Sequence, residues 1–60
     1  MQPGQRVRVE LPEGQFKGTI EHLEPPQELG QTIVILLDQP APTERVQFRP
    51  WQLGERFWIV

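Results

Sequence analysis

Apolar residues fall on alternate positions through most of this chain, and each run of alternation predicts a short β-strand. From Gln5 to Leu11, Val7, Val9 and Leu11 alternate with Arg6, Arg8 and Glu10, the period of a strand with one face buried. Pro12, Glu13 and Gly14 form a turn. Beyond it Phe16, Gly18 and Ile20 alternate with Lys17, Thr19 and Glu21, until the parity breaks at His22 and Leu23 and predicts a β-bulge. Gly18 removes a side chain where a curled sheet crowds its neighbour.

The next segment, Glu24 to Gln31, reads EPPQELGQ; paired prolines deny backbone donors and Gly30 supplies conformational freedom, so it is a loop. Thr32 to Asp38, TIVILLD, is apolar on both parities and is expected to be the central strand, buried on both faces or covered by a partner on one. Gln39 to Thr43 is a second proline-bearing turn. In Glu44 to Arg49, Val46 and Phe48 point inward and Arg45, Gln47 and Arg49 outward. Pro50 to Leu53, PWQL, predicts one 3₁₀ turn that drops Leu53 into the core and ends at Gly54. Phe57 to Val60 is a last short strand that separates Phe57 and Ile59 from Trp58 and Val60.

Five short strands, with a 3₁₀ turn before the last, describe an all-β fold: a small five-stranded SH3-like barrel occupying residues 1–60 as a single domain. An oligonucleotide-binding barrel would place a helix between the third and fourth strands, and the pattern contains none. A chain of this size buries only about 60% of the surface its unfolded form exposes, so its stability without a partner is modest and a deep pocket is not expected.

Composition narrows the chemistry. The 60 residues include no cysteine, serine, asparagine or tyrosine and a single histidine, which excludes a disulfide framework, a Ser/His/Asp triad and a multi-histidine metal site. Neither catalysis nor a cofactor is expected. The longest apolar run, Ile33 to Leu37, is far short of the ~20 residues a bilayer span needs, and no basic, apolar leader precedes the first strand. The expectation is a soluble, cytosolic protein, monomeric when isolated. A formal charge of -2 weakens the case for a partner held by bulk electrostatics, such as nucleic acid.

Candidate chemistry then rests on local patches. Arg6, Arg8, Lys17, Arg45 and Arg49 all point outward by alternation; they either keep the barrel soluble or share a face that docks a carboxylate-rich or phosphate-bearing surface. Trp51 and Trp58 compete with three phenylalanines for a small core, so one indole is expected to be exposed, as an interface anchor or as a lid on the barrel mouth. His22 lacks the companions a metal needs. Glu10 with Glu13 and Glu21 with Glu24 are expected to solubilise only.

Three segments carry a resemblance: PGQRVRV at Pro3 to Val9, FKG at Phe16 to Gly18, and VQFRPWQL at Val46 to Leu53. In these the chain resembles the small SH3-like subunits of cyanobacterial and chloroplast electron-transfer complexes. It looks closest to the S subunit of the photosynthetic NAD(P)H dehydrogenase-like complex, whose V-x-F-R-x-x-x-L segment is matched by Val46, Phe48, Arg49 and Leu53. The variable chain of ferredoxin-thioredoxin reductase, the E subunit of photosystem I and the P subunit of cytochrome b6f share the barrel. The Pro12 to Gln15 loop, the insertion at Pro25 to Gly30 and the Pro50-Trp51 pair depart from the S-subunit pattern.

The resemblance implies a non-catalytic accessory subunit held to a membrane electron-transfer complex from the cytosolic face of the thylakoid, with no membrane insertion of its own. It also implies a basic face that receives ferredoxin or supports its docking. Arg49 matches the motif, whereas extending that contact to Arg6, Arg8 and Arg45 follows from outward parity. Trp58 and the apolar Ile59-Val60 end would hold the complex. The alternative is an RNA- or ribosome-binding module of the KOW type, using the same arginines with Trp51 stacked on a base.

Overall fold

The computed structural model describes residues 1–24, 31–39 and 43–60. Most of the first expected loop (residues 25–30) and the middle of the second turn (40–42) lie outside the described residues. Five strands form one sheet: β1 (Arg6–Leu11), β2 (Gly14–Glu24), β3 (Thr32–Leu37), β4 (Arg45–Phe48) and β5 (Phe57–Ile59), with a 3₁₀ turn at Pro50–Gln52 before β5. Their order is β4-β3-β2-β1-β5, and every neighbouring pair is antiparallel. This is the all-β fold with a 3₁₀ turn before the last strand that the alternation predicts.

The long β2 lies in the middle of the sheet, so the expectation that Thr32 to Asp38 forms the central strand needs correction. That strand, β3, stands one place in from the β4 edge. Its double-sided apolar character has another cause. Ile33, Ile35 and Leu37 fill the core, while Val34, on the opposite parity across from His22 and Gln47, is also buried.

The hairpin joining β1 to β2 reverses between Leu11 and Gly14, which pair directly; Gly14 takes φ +139°, where an L side chain is strained. Further along β2 the register with β3 shifts between Ile20 and His22, leaving Glu21 as the extra residue of the expected bulge. Gly18 answers to close packing. A Cβ at this position would stand 2.6 Å from the Leu36 carbonyl oxygen and 2.9 Å from Ile35 Cγ2, so only glycine lets β3 pass this close to β2.

The inward parities of all five strands converge on one core of Val7, Val9, Ile20, Ile33, Ile35, Leu37, Phe48 and Phe57, with Leu11, Phe16, Leu23 and Val46 packed at its margin. Each such side chain contributes about 1.5–3 kcal/mol when removed from water. Phe48 of β4 stacks on Phe57 of β5, bringing the two edge strands together across the core and curling the sheet into a barrel.

The 3₁₀ turn forms because Pro50 presets its φ and lacks an N–H that would go unused, while the Gln52 side chain turns back to accept the Arg49 N–H at 2.8 Å. Leu53 does not drop into the core as expected; it is 42% exposed. Its backbone bridges to Phe57, whose ring is fully buried in the core.

Candidate functional site

The outer face of the sheet carries the charged parity of β1 and β2. Antiparallel register sets Trp58 of β5, Arg8 of β1 and Lys17 of β2 side by side in one cross-strand row. The Arg8 guanidinium lies over the Trp58 indole, 5.2 Å from the ring centroid, a cation–π contact that holds the charge in place. None of the described carboxylates comes within salt-bridge distance of Arg8 or Lys17. Directly opposed cations repel weakly, and Asp38 offsets Lys17 only through space, without a direct contact.

The next row along the same face contains Arg6, Thr19, Leu36 and Arg45. Its two arginines are engaged. Arg6 makes a two-pronged contact with Asp38 at 2.7 and 2.5 Å and donates a further hydrogen bond to Thr19 Oγ1 at 2.8 Å. Hydrogen bonding from Arg6 holds the Asp38 carboxyl below its ordinary range, and Asp38 in turn raises Arg6. Arg45 Nε donates to both oxygens of Glu21, at 2.9 and 3.1 Å, and its guanidinium also lies 3.4 Å from Glu44. The Arg45 hydrogen bond likewise lowers Glu21.

These contacts clasp strands. Arg6 ties β1 to the residue after β3, and Arg45 ties β4 to the bulge of β2. Glu21 is therefore a structural partner and not merely a solubilising charge. His22 is half exposed between Glu21 and Glu24, its Nδ1 3.5 Å from one and its Nε2 3.7 Å from the other.

Arg49 stands apart from both rows. Partly buried at the end of β4, it donates to Thr32 Oγ1 at 2.7 Å and to the Gln31 carbonyl at 3.5 Å, fastening β4 to the start of β3. Of the two indoles, Trp51 is the exposed one, at 71%, held out by the capped 3₁₀ turn, while Trp58 is half-buried beneath Arg8. Sequence parity thus groups five basic residues that the structure sorts into a pair outside salt-bridge distance of any described carboxylate, two clasps and a strand fastener.

Beside Lys17 is a shallow depression of about 290 Å³ lined by Gln15, Phe16, Lys17, Asp38 and Gln39. Sequence reasoning does not anticipate it, because Phe16 sits on the inward parity and carries no outward signal. Among the described residues no group of three His, Cys, Asp or Glu side chains could hold a metal ion. No helix among them is long and apolar enough to cross a membrane. The arrangement suits recognition of an anionic surface that presents flat apolar area to an indole. No protein family, curated protein or solved structure matches the chain.

Proposed function

We propose that this protein is a non-catalytic docking subunit that receives an acidic protein partner on the Trp58-Arg8-Lys17 row. The observation that carries the reading is the pair Arg8 and Lys17, adjacent across β1 and β2, with no carboxylate within salt-bridge distance among the described residues and Asp38, already clasped by Arg6, acting on Lys17 only through space. Arginine placed on an aromatic face is a frequent hot-spot arrangement, and surface cations accelerate encounter with an anionic partner. Arg6 and Arg45, already neutralised, shape the surrounding face.

The more specific form of the proposal is an accessory subunit of a photosynthetic electron-transfer complex that helps dock ferredoxin. Its support is the resemblance, together with the register of the segments that carry it. Val7-Arg8-Val9 and Phe16-Lys17-Gly18 pair residue for residue, Val7 with Gly18, Arg8 with Lys17 and Val9 with Phe16. Two resembling segments thus lie side by side, and their outward members are the two cations outside salt-bridge distance of any described carboxylate.

The test is a pull-down of tagged protein from detergent-solubilised cyanobacterial thylakoids, with an Arg8→Glu/Lys17→Glu variant run alongside and the bound proteins identified by mass spectrometry. The proposal expects one electron-transfer complex, or ferredoxin, with wild type and its loss with the variant. Recovery of ribosomal proteins or RNA would move function to the KOW-type reading, which the exposed Trp51 would serve by stacking on a base.

A further inference from the structure

We infer that the depression beside Lys17 takes an apolar side chain of the docking partner, from a segment in which that side chain neighbours a carboxylate. The inference rests on the docking reading above and adds what the partner must present.

Shape limits the occupant first. At about 290 Å³ the depression sits at the bottom of the range of ligand pockets, roughly 300–1,000 Å³, so it accommodates one side chain and its flanking backbone. Phe16 supplies the apolar contact. It packs against the core cluster and also lines the depression, so an apolar side chain laid against it extends the protein's own core outward. Gln15 and Gln39 are exposed at the lining, and their amides offer both donors and acceptors to an extended backbone.

Charge then selects the neighbour of that side chain. Asp38 and Lys17 both line the depression, which taken alone would leave it neutral. However, both oxygens of Asp38 are hydrogen-bonded by Arg6, whereas Lys17 acts on Asp38 only through space and has no carboxylate within salt-bridge distance among the described residues, so the Arg6, Asp38 and Lys17 group keeps one net positive charge. Beyond Lys17 stands Arg8, directly across the strands and likewise outside any salt bridge among the described residues. A carboxylate next to the inserted side chain meets Lys17 first and Arg8 behind it. The complementary surface is therefore acidic with one apolar projection, which a uniformly acidic surface lacks.

Two blocked peptides of equal charge test this: Glu-Glu-Leu-Glu-Glu and Glu-Glu-Gly-Glu-Glu, titrated into isotopically labelled protein at low ionic strength and followed by amide chemical shifts. The inference expects the leucine peptide to bind about tenfold more tightly, as burial of one leucine side chain allows. Its shifts should centre on Gln15, Phe16, Lys17, Asp38 and Gln39. Phe16→Leu, which keeps an apolar residue at the core margin, should weaken the leucine peptide and leave the glycine peptide unchanged. Equal binding of the two peptides, with shifts confined to Arg8, Lys17 and Trp58, would overturn the inference and leave the docking face standing. No shift with either peptide would overturn both, and shifts centred on Trp51 would move recognition of the apolar side chain to the 3₁₀ turn.

Discussion

Phe48 and Phe57 stack with ring centroids 5.1 Å apart and planes inclined by 25°, and this one contact joins strands that lie at opposite edges of the sheet. The ring pair links β4 and β5 across the core, although the two strands are not neighbours in the sheet. Truncating either ring would open a cavity across the seam.

Phe57→Ala should therefore cost about 3–5 kcal/mol, which is most or all of the stability of a domain this small, and leave the chain largely unfolded at 25 °C. Phe48→Leu should keep the fold with a lowered thermal midpoint. Circular dichroism melts of the two variants check this; a Phe57→Ala protein that melts like wild type would show that the stack does not hold the seam.

At Gly18 the limit is space. A methyl group there meets the Leu36 carbonyl at 2.6 Å, so Gly18→Ala must push β3 away from β2 at the cost of about 1–3 kcal/mol. Chemical denaturation measures the loss, and hydrogen exchange at Ile35 and Leu37 should speed up locally.

Acid should loosen the two clasps. Asp38 and Glu21 both titrate below their ordinary values because Arg6 and Arg45 hydrogen-bond to their charged forms. A depressed folded value means that each contribution is fully present above the unfolded values, about 4, and disappears as pH falls through the lower folded ones. Stability to urea should thus decline from about pH 4 downward. Asp38→Asn and Glu21→Gln should each lower stability at pH 7 and flatten that decline. Both pairs are solvent-accessible, so added salt should diminish the effect.

Trp51 packs on little of its own chain. Trp51→Ala should change stability by no more than about 0.5 kcal/mol while removing the red-shifted part of the tryptophan emission, leaving the shielded Trp58 signal beneath Arg8. A large loss of stability would assign Trp51 to the fold.

What the sequence made legible follows from local rules. Strict alternation in β1 and β4 identified their buried faces, the break at His22 located the bulge, and a glycine inside a strand marked the close approach at Gly18. Properties set by distant partners were not legible. Nothing near Arg6 in the chain indicates Asp38, 32 residues away, and nothing near Arg45 indicates Glu21, so arginines inside and outside a salt bridge look alike in a string of letters. Leu53 misled because apolarity alone does not fix the direction of a side chain at the end of a 3₁₀ turn, where it is 42% exposed. β3 misled because burial on both faces resembles centrality, although β2 is the strand in the middle.

The proposed division of labour gives Arg8 and Lys17 the docking contact and leaves Arg6 and Arg45 to the fold. It is tested most directly by titrating a plant-type ferredoxin, the acidic carrier that the resemblance implies, into wild type, Arg8→Glu/Lys17→Glu and Arg6→Gln/Arg45→Gln proteins at two ionic strengths. Wild-type affinity should fall roughly tenfold as salt rises from about 50 to 200 mM, the Arg8/Lys17 variant should lose binding, and the Arg6/Arg45 variant should change little. Undiminished binding by the Arg8/Lys17 variant, or an affinity indifferent to salt, would contradict that division.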